Sequence, residues 1–218
     1  MFQLPKSTLV NRHIPKSKFY MHLQVDRRLK DLFTRQIEKI VWKHKLAKAT
    51  IHLNPSGDVE EIQIFEIELK EPNCSQDLLR SIDREIPYPI LYVLVYGEQA
   101  KFVMAYKERH KSDPHRAVVH AYYETDWRPK EQLELNVLQG FDLRAVYENI
   151  IRQLMSGKAR VATDFSEAIE RQARIDKLTK ECKRLEAKIR SERQFQRKVE
   201  LNMELQHKKK ELEQLISD

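Results

Sequence analysis

Glu66, Glu68 and Lys70 are the residues whose types and spacing best suit chemistry. They belong to a stretch, residues 61–70, in which charged and apolar side chains alternate. Because side chains of a strand alternate between its two faces, these three charged groups leave one face together with Ile62 and Ile64. The other face is filled by Phe65, Ile67 and Leu69. Carboxylates hold Mg²⁺, while a lysine two residues on can orient water or neutralise a phosphate. The pattern predicts Glu66 and Glu68 as candidate metal ligands, and Glu68 and Lys70 as candidate catalytic residues.

The triplet Glu68-Leu69-Lys70 resembles the second half of the PD-(D/E)xK nuclease signature, which lies on a strand just before a helix, as it does here. That nuclease core also has three strands before its crossover helix and a separate acidic residue on a neighbouring strand. The sequence indicates two such strands, and Asp58, Glu60 and Glu66 do not fit the separate acid cleanly. The alternative is a solvated end of a sheet, where the charges of the triplet pair weakly across water.

A second candidate site is a basic stripe on a helix predicted to begin at Asp26, a suitable N-cap residue. Apolar residues recur at spacings of three and four from Leu29 to His44, which defines one face of that helix. The opposite face carries Arg28, Arg35, Lys39 and Trp42, and with Lys43 nearby these are the candidate nucleic-acid-binding residues. The cations could follow a phosphate backbone and the indole could stack on a base. An ordinary solvated helix face, with Trp42 buried, is the alternative.

The net charge of +7 is distributed unevenly along the 218 residues. Residues 1–50 hold twelve basic and three acidic side chains. Residues 51–163 hold fourteen basic and eighteen acidic side chains, and residues 164–218 hold fourteen basic and twelve acidic ones. A polyanion is therefore expected to meet the first fifty residues. The acidic middle segment favours a cation near Glu66 and Glu68 instead.

Composition excludes collagen-like and Gly/Ser-rich disordered chains, because only 4 of 218 residues are glycine. The longest apolar run, residues 90–96, is far shorter than the roughly 20 residues that cross a bilayer. The N-terminal residues also lack the apolar stretch of a secretory signal. With two cysteines far apart in sequence, Cys74 and Cys182, we expect reduced thiols and a cytoplasmic protein.

The order of predicted elements indicates an α/β (mixed α+β) domain over residues 1–160, with a small mixed sheet and flanking helices. Residues 1–25 are expected to be extended or irregular, and residues 109–116 to form a loop. Strands are predicted at 50–53, 59–70, 90–96, 101–106 and 117–124, and helices at 76–86 and 143–154, the latter capped by Asp142. The strand–helix–strand order around residues 76–86 favours a parallel pair of strands.

The segment 161–218 is predicted to form C-terminal coiled-coil helices. Asp164 and Glu167 have the spacing of a capping box. Two heptad seams follow, one from Ile175 to Ile189 and one from Leu201 to Leu215. The register is lost between residues 190 and 198, which predicts a helical hairpin, with one long broken helix as the alternative. Binding of a partner protein or self-association is the expected role.

Several motifs together resemble one prokaryotic family. They include Leu4-Pro5-Lys6-Ser7-Thr8, the strand at residues 65–70, Ile86-Pro87-Tyr88, Thr125-Asp126-Trp127 and Arg193-Gln194-Phe195. They resemble the uncharacterised family catalogued as domain of unknown function forty-three ninety-one, over nearly the whole chain. Members of this family are similar to the products of accessory genes in restriction or phage-defence loci. Those genes commonly lie beside genes for DNA methyltransferases and superfamily-two helicases. The resemblance implies a context and supplies no catalytic residues.

The leading functional expectation is therefore an accessory subunit of a prokaryotic phage-defence or restriction–modification complex. It would bind a helicase or methyltransferase partner, DNA, or both. No association with a membrane is expected. The first alternative is a Mg²⁺-dependent PD-(D/E)xK-like nuclease that uses Glu68 and Lys70. The second is a structural homodimer formed through the coiled coil.

Overall fold

The computed structural model describes residues 3–22, 27–110 and 112–217. Within these ranges the chain forms two compact units, residues 1–154 and 155–218. The first unit contains a seven-stranded mixed sheet with helices, and the second contains a pair of long helices that pack together. The predicted mixed α/β class is confirmed. No helix among the described residues has both the length and the apolar character needed to span a membrane.

The sheet has one parallel pair of neighbouring strands, and its other neighbours are antiparallel. In the order in which they lie side by side, the strands are β1 (Leu9–His13), β2 (Ile37–Ala47), β3 (Glu61–Leu69), β4 (Ile90–Tyr96), β5 (Gln99–His110) and β6 (Asp113–Glu124), and the short β7 (Arg128–Pro129) also pairs with β5. The parallel pair is β3 and β4. Parallel neighbours need a crossover connection, and a helix supplies it, so the predicted strand–helix–strand unit is confirmed.

The helices in chain order are α1 (Ser17–His22), α2 (Arg27–Gln36), α3 (Lys48–Ile51), α4 (Gln76–Glu85), α5 (Leu143–Leu154), α6 (Gly157–Val161), α7 (Phe165–Ser191) and α8 (Phe195–Ile216). The side chains of Ser75, Asp142 and Asp164 cap α4, α5 and α7. Each accepts a hydrogen bond from a backbone N–H two or three residues further on, as N-cap residues do. The predicted caps at Asp142 and Asp164 are therefore confirmed, whereas Asp26 lies outside the described residues.

The main core lies between the sheet and the helices α2 and α4. Strand β4 runs through it, and residues 91–94 of this strand are at most 1% exposed. This burial on both faces explains the uninterrupted apolar run that predicted a central strand. Gly97 then reverses the chain into β5 with a φ of 54°, a left-handed conformation that favours glycine. The core side chains packed together include Phe33, Ile37, Ile40, Phe65, Ile67, Leu79, Ile82 and Tyr92.

A buried ion pair ties α4 to β5. The ammonium of Lys107 lies 2.8 Å from the carboxylate of Asp83, and these side chains are 1% and 0% exposed. Lys107 also donates to the backbone oxygens of Asp83 at 3.2 Å and Ile86 at 2.7 Å, and the Tyr122 hydroxyl donates to Asp83 at 2.7 Å. Burial lowers the pKa of Lys107, and the Asp83 carboxylate opposes that change.

The prediction of a helix from residue 26 to residue 44 is wrong after Gln36, because β2 begins at Ile37. The spacing of apolar residues up to Ile37 fits a helix, but Ile37, Ile40 and Val41 are β-branched, and Trp42 follows them. Such residues pack well on a sheet surface, and here β1 and β3 lie on either side of them. Pairing with two strands outweighs the local helical pattern.

Four further elements differ from the sequence predictions. Residues 9–13 form β1 where an irregular segment was expected, because they pair with β2. The short helix α3 takes up residues 50–51 of the strand predicted at 50–53, and residues 109–110 and 113–116 extend β5 and β6 where a loop was predicted. The crossover helix α4 is consequently preceded by three strands instead of two.

The second unit is a helical hairpin, as the loss of heptad register predicts. The chain reverses between Ser191 and Phe195, and α8 packs against α7 through Cys182, Leu185, Leu201 and Leu205. Three ion pairs join the helices, and they are Arg174–Glu211 and Glu181–Lys208 at 2.5 Å and Glu186–Lys209 at 2.8 Å. The hydrogen bonds from Lys208 and Lys209 lower the pKa of the glutamates that they contact.

Candidate nucleic-acid interface at the start of β2

Part of each set of candidate residues lies where α2 ends, β2 begins and β3 finishes. Arg35 is in the last turn of α2, and Lys39 pairs in register with Glu68. Ile37 pairs with Leu69, so Lys70 follows directly beside the start of β2. We define the α2–β2 corner as Arg35, Glu38, Lys39, Glu68 and Lys70. All five are exposed.

Gln36 holds this corner in shape. Its side chain is 3% exposed, and its amide oxygen accepts from the backbone N–H of Ser75 at 2.9 Å. Its amide nitrogen donates to Glu71 at 3.1 Å, and its backbone oxygen accepts from the N–H of Lys70 at 2.9 Å. A buried polar side chain that satisfies its hydrogen bonds in this way fixes the end of α2 against the start of α4. Sequence reasoning missed Gln36, because its partners are 34 to 39 residues away.

Lys70 lies across the junction. Its ammonium donates to the backbone oxygen of Thr34 at 3.0 Å and is 3.6 Å from the carboxylate of Glu38. The side chains of Lys70 and Glu38 are 40% and 58% exposed. An exposed pair of this length is weak, so the ammonium can exchange the carboxylate for another anion.

Glu38 is an acidic residue on the strand next to β3. The PD-(D/E)xK signature calls for such a residue, and the sequence analysis did not identify it. It is the extra residue of a β-bulge, since Ile37 pairs with Leu69 and Lys39 pairs with Glu68. Bulges turn a side chain away from the regular alternation, which is how Glu38 comes to lie beside Lys70. The assignment of residue 38 to a helix concealed it. The β-branched residues from Ile37 to Val41 were the signal that could have found it.

The predicted metal ligands do not form a larger acidic group. The carboxylate of Glu66 is 3.4 Å from the ammonium of Lys43, and Glu68 faces Lys39 in the strand register. Within the described part of the chain, no three His, Cys, Asp or Glu side chains are grouped so that they could hold a metal ion. A cation at this corner would therefore take most of its ligands from water or phosphate oxygens.

The predicted basic residues divide between two elements. Arg28 and Arg35 lie on α2 and share a face, because seven residues are close to two helical turns. Arg28 is 81% exposed and 4.0 Å from Asp77, a contact that contributes little. For the Arg35 guanidinium and the Lys39 ammonium, no carboxylate of the described residues lies within 4.0 Å. These two cations are the most available for phosphate.

Trp42 and Lys43 have neighbours that reduce their availability. Trp42 is half-buried, packs against the core with its ring centroid 6.5 Å from that of Phe65, and donates its indole N–H to the His44 backbone oxygen at 3.0 Å. Lys43 is the extra residue of a second bulge and pairs with Glu66. Its charge also lowers the pKa of His44, although burial of that ring is the larger cause.

Comparison with known proteins places the chain in one family. A family model described as "Domain of unknown function (DUF4391)" matches residues 2–212. The chain belongs to this family. The DUF4391 family is uncharacterised, and it is the one that the sequence motifs resembled. No curated protein and no solved structure is significantly similar to this DUF4391 chain.

Proposed function

We propose that this DUF4391 protein is an accessory subunit of a prokaryotic phage-defence or restriction–modification complex. Its α/β unit binds DNA at the α2–β2 corner, and its helical hairpin binds a helicase or methyltransferase partner. One observation carries the DNA-binding part of the proposal. Two residues of the predicted basic stripe, Arg35 and Lys39, lie at one place in the fold with the Glu68/Lys70 strand end, which the sequence treated as a separate site.

The charges at the corner support contact with a phosphate backbone. Arg35 and Lys39 are exposed and without a carboxylate partner among the described residues, and Lys70 has only a weak one. Lysine and arginine that neutralise phosphates release counterions, which gives affinity without sequence specificity. The segment of twelve basic and three acidic side chains, residues 1–50, contains α2 and all of β2, so the wider surface attracts the same ligand.

Fluorescence anisotropy with a labelled duplex at low salt tests this proposal. Arg35→Ala and Lys39→Ala should each weaken binding several-fold, because each removes one phosphate contact. Lys43→Ala should have a smaller effect, since Lys43 is already paired with Glu66. The matched control is Lys48→Ala, an exposed lysine at the opposite end of β2, roughly 25–30 Å from Lys39 at about 3.3 Å per residue. Equal affinities for all variants and the wild type would overturn the assignment.

A Mg²⁺-dependent nuclease at the same corner is the second candidate, and two observations favour it. Three strands precede the crossover helix, which is the number that the PD-(D/E)xK core has. Glu38 supplies an acidic residue on the neighbouring strand and lies beside Lys70. In this reaction Glu38 and Glu68 would hold Mg²⁺, while Lys70 would orient the attacking water or stabilise charge on the phosphate.

Nicking of supercoiled plasmid in Mg²⁺ or Mn²⁺ tests the second candidate. The wild type should nick the plasmid, and Glu68→Ala, Lys70→Ala and Glu38→Gln should each abolish nicking. Glu134→Gln, which changes an exposed glutamate away from the corner, is the control and should keep full activity. Absence of nicking by the wild type, or unchanged nicking in the Glu68 and Lys70 variants, would eliminate the nuclease and leave the DNA-binding subunit.

A further inference from the structure

The outer face of α8 carries an apolar stripe that the hairpin core does not use. Phe195, Val199 and Met203 are 82%, 43% and 70% exposed. Residues four apart are neighbours on one side of a helix, so the three form a continuous surface about 12 Å long. We call this surface the α8 stripe. It differs from the buried side of α8, where Leu201 and Leu205 pack against α7.

Basic residues border the α8 stripe at its Phe195 end, whereas Glu200 and Glu204 are the charged residues nearest to Met203 in sequence. Between residues 188 and 198 there are five basic side chains and one acidic side chain. The acidic one, Glu192, accepts hydrogen bonds from the backbone N–H groups of Arg193 and Gln194 at 2.8 and 2.9 Å. Among the basic residues, Arg197 pairs with Glu200 at 2.7 Å. The described residues place no carboxylate within 4.0 Å of the other four, which are Lys188, Arg190, Arg193 and Lys198.

We propose that the α8 stripe binds an amphipathic helix of a partner protein whose apolar residues are flanked by acidic side chains. Apolar residues that recur every four positions over about two turns fit the anchors of a helix laid along a helix. The basic residues at the Phe195 end select an acidic flank there, because charges across an interface steer association and reject like-charged partners. This inference rests on the proposed partner-binding role of the hairpin and specifies the chemistry of that partner.

Two other occupants fit the stripe less well. A second copy of the chain would bring an identical stripe with the same excess of positive charge. Nucleic acid would use the cations, but Val199 and Met203 offer neither an aromatic surface for stacking nor a hydrogen bond to phosphate.

The test uses the full chain and two synthetic helical peptides. Each peptide has about three heptads with leucine at the a and d positions. The acidic peptide has glutamate at the e and g positions, and the basic peptide has lysine there. Fluorescence anisotropy should show binding of the acidic peptide and at least tenfold weaker binding of the basic peptide. Binding of both peptides with equal affinity, or of neither, would overturn the proposal.

Substitutions locate the binding surface. Phe195→Gln and Met203→Gln should each weaken binding of the acidic peptide at least tenfold, because exposed anchors contribute to binding and not to the fold. The matched control is Val161→Gln, which removes an apolar residue that is 71% exposed on α6 of the same unit. It should leave the affinity unchanged. Equal losses in all three variants, or no loss in any, would contradict the assignment.

Two parallel measurements separate this inference from its competitors and from the proposed function. Light scattering that shows a wild-type dimer and a Phe195→Gln monomer would assign the stripe to a second copy and overturn the proposal. Loss of duplex binding in the stripe variants would assign it to nucleic acid. The corner variant Arg35→Ala/Lys39→Ala should still bind the acidic peptide, so failure of DNA binding at the corner and failure of the stripe are read independently.

Discussion

Two lysine–carboxylate pairs in the α/β unit have the same chemistry and opposite surroundings. Lys107 and Asp83 are almost completely buried at 2.8 Å, whereas Lys70 and Glu38 are 40% and 58% exposed at 3.6 Å. Lys107 directs its three N–H donors to Asp83 and Ile86. A lysine has three donors, so Lys107 has no capacity for a ligand.

The difference separates structure from function in this fold. A charge whose hydrogen bonds are all internal stabilises one arrangement and cannot recognise anything else. A charge held by one weak pair and one backbone oxygen, as in Lys70, can turn to a phosphate at little cost. Burial therefore identifies the candidate site more reliably than the presence of charged pairs does.

The largest predicted effect is on the buried pair. Lys107→Met leaves the Asp83 carboxylate buried without its cation and should lower the free energy of unfolding by about 3–5 kcal/mol. Urea unfolding monitored by circular dichroism measures this change. Lys70→Met is the matched control at the exposed pair. A loss for Lys107→Met no greater than that for Lys70→Met would show that burial does not distinguish the two pairs.

An intermediate effect is predicted at His44, which is half-buried on β2. Thr8 donates its hydroxyl to the Pro5 backbone oxygen at 2.7 Å, so the ring Nδ1–H of His44 donates to the Thr8 oxygen at 2.9 Å. Burial, helped by Lys43, lowers the pKa of His44 below its usual 6.5.

The pH dependence follows from this direction. Below pH 6.5 the unfolded chain takes up a proton that the folded chain resists, so the contribution of His44 is complete above its unfolded pKa. It is lost as the pH falls from about 6.5 through the lower folded pKa. Urea unfolding near pH 7.5 and 5.5 should show a smaller decrease in stability for His44→Gln than for the wild type. His52→Gln, at an exposed histidine, is the control, and an unchanged decrease for His44→Gln would refute the prediction.

The smallest predicted effect on stability is at the exposed pair. Glu38→Gln and Lys70→Met should each change the free energy of unfolding by less than about 1 kcal/mol, because solvent-exposed ion pairs contribute little. Chemical denaturation of each variant measures this. Glu124→Gln, which removes the partner of Lys101, provides a comparison with a less exposed lysine. A loss of several kcal/mol at Lys70 would make the corner structural and remove the basis for its proposed role.

The sequence predicted the elements whose patterns are local. The apolar run of β4 and the caps at Asp142 and Asp164 depend on residues close together in the chain, and each was confirmed. The change from α2 to β2 at Ile37 was missed because the apolar spacing fits both elements there. Only pairing with β1 and β3, which the sequence does not display, decides between them.

The individual residues of the candidate site could be predicted from the sequence, but their proximity in the fold could not. Glu68, Lys70, Arg35 and Lys39 were named from residue type and spacing. Their meeting at one corner depends on the register of β2 against β3. Glu38 was missed because it belongs to a bulge, and the buried partner of Lys107 was missed because Asp83 is 24 residues away. Contacts of this range arise from tertiary packing.

The salt dependence of duplex binding tests the central claim most directly. Each phosphate contact adds about 0.9 to the slope of log affinity against log salt concentration. The Arg35→Ala/Lys39→Ala variant should therefore have a slope that is shallower than the wild-type slope by about 2, and Lys48→Ala should match the wild type. Identical slopes for the double variant and the wild type would show that the α2–β2 corner does not bind the DNA backbone.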